Sequence, residues 1–331
     1  MKHSGLVTRK QNVAVVPYLC LLLSLGVWGC DREPAHTMQM STGDRAWSRQ
    51  ERQGVQKRLL SFGQYQRRVK GKPPFTAYRL ACGAQTLTFC GVRHSTDPAD
   101  VQFIAIEILF DGFFTRLGPA GRGVVVVEGG VPQIDGRTNR NAIISRFGER
   151  GRATALARRH DIFIRSGEPQ PETIYRKQVR RFGATKVQLA YLARRIGLWQ
   201  RRKRPCDLDT FMARSRLLQK LNIRYDRADF VKKYEKTMRE KPDFEDPHYF
   251  ARITNPAGRA TVLNTVLARD TALRDIHLVA LLGDLSARYK HVFVVFGVSH
   301  AVMIRSALRW LWCRRWCRST QQQCVETSWT G

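Results

Sequence analysis

A chain of 331 residues with 43% hydrophobic content can hold one large domain or two small ones, and is long enough to bury a site. Its formal charge of +30 favours anionic neighbours such as nucleic acid, lipid headgroups or acidic polysaccharide. The basic runs, at Arg158 and Arg159, at Arg194 and Arg195, and from Arg201 to Arg204, read as solvated faces; no C-x-x-C zinc pair, RNP-type aromatic signature or helix-turn-helix accompanies them, so nucleic acid ranks last among the partners.

Lys2, Arg9 and Lys10 precede an uncharged stretch from Val13 to Gly29, the layout of a signal peptide over residues 1–29. The stretch is interrupted by Pro17 and falls short of the roughly 20 residues that an unaided spanning helix needs. Its ending, Gly26-Val27-Trp28-Gly29-Cys30, resembles a bacterial lipoprotein box. That resemblance implies lipidation of Cys30 and, with Asp31 next in line, retention on the periplasmic side of the inner membrane. An uncleaved anchor and a plain secretory signal stay open as alternatives. Residues 30–48 are polar and read as a tether that holds the following domain off the bilayer.

From Arg49 to Val69 the chain is basic and amphipathic. Phe75 to Cys82 and Gln85 to Cys90 read as two strands joined at Gly83-Ala84, the second running into Gly91-Val92-Arg93-His94. Asp97-Pro98 has the form of a helix start, with Val101, Ile104, Ala105 and Ile108 as the apolar face. Val124 to Val127 is β-branched throughout, which suits a strand covered on both faces, and it ends in Glu128-Gly129-Gly130. A helical stretch over 141–160, broken near Gly148 and Gly151, leads to a short strand at Asp161 to Arg165 and the turn Ser166-Gly167-Glu168-Pro169. Helices follow over about 172–290. His291 to Phe296 is a last apolar strand, closing on Gly297-Val298-Ser299-His300. The fold expected is α/β: a central mixed, largely parallel sheet flanked by helices, spanning 49–312, with a helical insertion between the third and last core strands. The tail 313–331 is basic, contains cysteines and reads as peripheral. The six cysteines after Cys30 are an even number and permit disulfides in an oxidising compartment, with the pairing left open.

In open α/β sheets, ligands bind at the carboxyl ends of the strands, where loops are free of the helical layers. Here those ends carry His94, Glu128, Glu168 and His300. Each alone is unremarkable, but two histidines and carboxylates at one edge have the composition of a metal site or of an acid/base pair acting on water. On a helix ahead of the last strand, Arg274 and His277 are three apart and share a face. Arg274 is suited to a developing oxyanion, and equally to a surface salt bridge with Asp275 or Asp270.

Two G-x-x-H motifs at strand ends, a V-V-V-E strand between them and an Arg-Asp pair before the second motif resemble the TraB/GumN/Tiki superfamily, related in fold to erythromycin esterase and haem-binding ChaN proteins. The resemblance covers about residues 75 to 312. It implies the family's paired histidines at His94 and His300, its glutamate at Glu128 and its arginine at Arg274. Asp275 stands where family members commonly have Asn. The activity implied is that of a metal-dependent hydrolase, such as a peptidase. In it His94, Glu128 and His300 would hold divalent Mn, Co or Zn, with Glu168 as base, Arg274 as oxyanion partner and His277 alongside. A metal-free esterase-type hydrolase and a non-enzymatic protein binding haem or another anionic ligand are the alternatives. The substrate expected is a peptide or small molecule.

Overall fold

The computed structural model describes residues 47–69, 75–118, 121–135, 138–202, 204–258, 260–317 and 323–330. All of them belong to the unit Asp44–Gly331. The leader, Cys30 and the tether up to residue 46 lie outside the described residues. No described helix is long and apolar enough to cross a membrane.

The expected hairpin is β1 (Phe75–Cys82) and β2 (Gln85–Val92), antiparallel, with Cys82 opposite Gln85. With β3 (Gly123–Val127), β4 (Phe163–Ser166), β5 (His291–Gly297) and β6 (Val325–Thr330), it builds one sheet in the order β4-β3-β5-β2-β1-β6. The run β4-β3-β5-β2 is parallel throughout, while β1 is antiparallel to both its neighbours. The fold is therefore α/β with a mixed, mostly parallel sheet. Period-two alternation explains why its central strands are apolar on both sides. Val124, Val126, Val292 and Val294 pack on one face with Leu282, Leu285, Ile304, Leu308 and Trp312. Val125, Val127, Phe293 and Val295 pack on the other with Phe103, Ile106, Phe110 and Phe113.

Ser48 caps α1 (Arg49–Gln56) and Ser61 caps α2 (Phe62–Arg68), each through a reciprocal capping box that satisfies two end N–H groups. Between β2 and β3 runs α3 (Gln102–Leu117), which begins later than Asp97-Pro98 suggests. Asp97 and Asp100 each close a local turn instead, accepting from the backbone N–H two residues on. The helix also turns a different face inward. Val101, Ile104 and Ile108 are exposed at 72%, 53% and 64%, Ala105 of the expected face is half-buried against the core, and Phe103, Ile106, Phe110, Phe113 and Leu117 are buried. Both stripes have helical spacing, and the one with three aromatic rings removes more apolar area from water.

α4 (Arg140–Arg159) leads to β4 and is kinked at Gly148 alone; Gly151 stays helical. Glu107 on α3 accepts from Arg140 at 2.6 Å and from Arg152 at 2.7 Å, tying down both halves of the kinked helix.

The insertion between β4 and β5 comprises α5 (Pro171–Phe182), α6 (Ala184–Arg201), α7 (Leu208–Ala213), α8 (Arg216–Lys220), α9 (Arg227–Met238), α10 (Tyr249–Ile253) and α11 (Val262–Arg288). It has a core of its own around Phe211, Phe230, Tyr234 and Phe250. α11 spans about 40 Å at 1.5 Å per residue. Its first turns, with Leu263 and Leu267, belong to the insertion core, and Leu278 to Leu285 belong to the sheet core. Arg274 and Asp275 lie between the two.

After β5, α12 (Val298–Trp312) packs back on the sheet and continues into a single turn of π-helix at Cys313–Cys317. The segment that follows departs from the expectation of a peripheral tail. β6 adds to the edge of β1, and disulfides Cys82–Cys317 and Cys313–Cys324 fasten it there. Its composition is polar, and its six residues become a strand because β1 offers an unpaired edge. Cys90 and Cys206 are free thiols.

Candidate functional site

The parallel strands end on one edge, and the residues just past them meet there. Val92 pairs with Gly297, and Val127 pairs with both Val295 and Ser166. Sheet register therefore sets His94, Glu128, Glu168 and the start of α12 side by side. His94, Glu128, Gly129, Phe147, Glu149, Arg150, Glu168 and Arg274 line a cleft of about 360 Å³.

The glycines of the two G-x-x-H motifs act by allowing close approach, and neither has a positive φ. Gly91 sits inside β2, where a Cβ would fall 2.5 Å from the Cβ of Ala301. A Cβ on Gly297 would lie 3.0 Å from Glu128 Oε2, 3.7 Å from His300 Cδ2 and 3.8 Å from His94 Nε2. That single point shows three of the sequence-picked residues converging, and a bare backbone is what leaves room for them. The Gly297 N–H donates to Glu128 Oε2 at 2.6 Å.

Arg274 reaches the edge from the middle of α11. Its Nε donates to Glu168 Oε2 at 2.8 Å, and its Nη2 donates to Glu168 Oε1 and, at 3.1 Å, to Glu128 Oε1. Burial works against the guanidinium charge, but the bonds to Glu168 and the fields of Glu168, Glu128 and Asp270 outweigh it and hold the pKa above its ordinary value. The Nη1 donors take no part in these bonds. His277, one turn along, lines neither this cleft nor the cavity beside it.

Each histidine is oriented by a carboxylate. His94 Nδ1 lies 2.5 Å from Glu149 Oε1, and its side chain is 69% exposed. That hydrogen bond raises the His94 pKa; burial opposes it, and the charges of Glu128 and Glu149 add to it. Its Nε2 is 3.9 Å from Glu128 Oε2. His300 Nδ1 lies 2.5 Å from Asp275 Oδ1, with both side chains buried. Burial pushes the Asp275 carboxyl up, and the bond to His300 pulls it back.

Neither Glu149 nor the pairing role of Asp275 is legible from strand-end position. The signal for Glu149 is the helix break at Gly148, whose φ of +62° is costly for other residues. A Cβ there would fall 2.7 Å from Ser95 O, so the glycine lets α4 approach the loop after β2 and deliver Glu149 to His94. Gly148→Ala is expected to destabilise the protein by about 1–3 kcal/mol through strain in a sparsely populated backbone region. Urea unfolding measures it, and an unchanged midpoint would contradict this account of the kink.

A divalent ion needs several donor atoms converging on one point. Among the described residues, no set of His, Asp and Glu side chains brings three such atoms within 4.8 Å of one another. Both Glu128 oxygens already accept hydrogen bonds, Oε1 from the Arg274 guanidinium and Oε2 from the Gly297 N–H. His94, Glu128 and His300 thus do not fit a ready-made three-ligand ion. Cys313, Cys317 and Cys324 do lie that close and could hold a metal, although all three are engaged in the two disulfides.

Comparison of the chain with family models, with characterised proteins and with solved structures returns no match.

Proposed function

We propose that the cleft is a hydrolytic site in which His94 is the general base. The observation that carries this reading is the orientation of His94, with Nδ1 tied to Glu149 and Nε2 directed to the carboxylate-lined cleft. With Nδ1–H donated to Glu149, Nε2 can take a proton from water as the water oxygen attacks an ester or amide carbonyl. The same nitrogen returns the proton to the leaving group as the C–O or C–N bond breaks. Glu128 and Glu168 hold Arg274, whose remaining Nη1 donors would meet the developing oxyanion. In this scheme Glu168 orients the guanidinium, and the base is His94. Substrates would be esters or peptides, met at the periplasmic face of the membrane to which a lipidated Cys30 would fasten the chain. The motif order that resembles the TraB/GumN/Tiki superfamily supports a hydrolase.

A second reading has His94, Glu128 and His300 gather a Mn, Co or Zn ion after rearrangement. One observation favours it: metal-bound histidines commonly have their other ring nitrogen fixed by a carboxylate, as both are here.

The pH profile tests the base. A histidine accepts a proton only when neutral, so a raised pKa delays the rise of kcat/KM to a pH above the ordinary value of 6.5. Glu149→Gln removes the largest raising cause, so its rising limb is expected at lower pH, with a smaller plateau. A limb that stays in place would overturn the assignment of His94 and Glu149 as the working pair. Activity that disappears on exhaustive chelation and returns with Mn, Co or Zn would favour the second reading.

A further inference from the structure

Beside the cleft lies a cavity of about 410 Å³ between the insertion and the sheet edge. Glu168 and Arg274 line both, so the two spaces share a wall. One face of α6 turns onto the cavity, with Tyr191, Arg194, Arg195, Leu198 and Arg201 at helical spacing. Ile174, Leu217 and Leu218 complete an apolar floor.

The charges there do not balance. Of the two acids, Glu168 is committed to Arg274, and Asp270 accepts from the Tyr191 hydroxyl at 2.7 Å with Arg194 at 3.8 Å. Among the described residues, Arg195 and Arg201 form no ion pair. Arg195 lies over the Phe211 ring at 4.1 Å, and its buried Nε has no hydrogen-bond acceptor. Arg195 is half-buried and Arg201 exposed; partial burial, together with the neighbouring Arg202 for Arg195 and Arg194 for Arg201, lowers the pKa of both guanidiniums. An unpaired donor on a partly desolvated guanidinium calls for an acceptor, and a planar fork suits carboxylate, sulfonate or phosphate oxygens.

We infer that this cavity is a ligand subsite for a small anionic amphiphile, its anionic group held by Arg195 and Arg201 and its apolar body resting on Ile174, Leu198, Leu217 and Leu218. The volume is in the range of small-molecule sites. Through the shared wall, the far end of such a molecule would reach Arg274, which makes the cavity the specificity pocket of the hydrolytic cleft. That last link rests on the hydrolase reading; binding in the cavity does not.

The test uses the full chain and two probes of one shape, naphthalene sulfonate and its neutral sulfonamide, titrated by calorimetry. The wild type is expected to prefer the sulfonate by about tenfold or more. Arg201→Gln should reduce that preference, Arg195→Gln with Arg201→Gln should abolish it, and exposed Arg180→Gln on α5 should leave it intact. His94→Ala should also keep it. Equal affinity for the two probes, or a preference that survives the double variant or falls equally in Arg180→Gln, would overturn the inference. Sulfonate preference in a wild type that hydrolyses no ester or peptide would leave the subsite standing and remove the hydrolase reading.

Discussion

His94→Ala is expected to lower kcat/KM for ester or peptide hydrolysis about a hundredfold to ten-thousandfold, the range of a lost general base. Stability should fall by about 1–3 kcal/mol, because the buried Glu149 carboxylate loses its hydrogen bond from His94. The loss is no larger because the side chain is 69% exposed, so little apolar area leaves the core with it, and Glu149 keeps a contact with the Ser95 N–H at 3.4 Å. Steady-state kinetics and urea unfolding on the same preparations check both halves of the statement. A variant as active as wild type would remove His94 from the chemistry. Elemental analysis of wild type, His94→Ala and His300→Ala after matched supplementation adds a second arm. Stoichiometric metal lost in both variants would replace the metal-free scheme with the metal-bound one.

The largest stability effect is expected at Arg274. Its guanidinium is the cation hydrogen-bonded to both Glu128 and Glu168, and all three side chains are at most 21% exposed. Arg274→Met keeps much of the volume and leaves two partly buried carboxylates facing each other without it. Removing one partner of a buried ion pair costs about 3–5 kcal/mol, and the partial exposure here places the expected loss near the lower end, about 3 kcal/mol. Adding Glu168→Gln to that variant should recover part of the loss, because one of the stranded charges is then gone. Denaturant unfolding of the two variants measures this. A loss below about 1 kcal/mol for Arg274→Met would mean that the triad behaves as an exposed surface pair.

The positions of the strand-end residues were legible because they depend on local pattern. Val124 to Val127 and His291 to Phe296 are apolar without alternation, and that property alone places them in a covered parallel sheet, with Glu128 and Gly297 at the carboxyl edge. The inward face of α3 was not legible, since Val101, Ile104 and Ile108 repeat with the same period as the aromatic stripe that the core accepts. The strand at Val325–Thr330 was hidden for a related reason. It forms by pairing with the free edge of β1, a partner far away in sequence.

The sequence by itself determined the covered parallel strands and which histidines and glutamates stand at their ends, because both follow from periodicity and glycine placement within short stretches. The tertiary structure alone decided what those groups can do. Gly148 admits α4 to the edge so that Glu149 orients His94. A helix shared by two cores brings Arg274 between Glu128 and Glu168 and sets Asp275 against His300. These are contacts between segments 25 to 146 residues apart, fixed by the packing of helices on the sheet, and no local pattern encodes such distances.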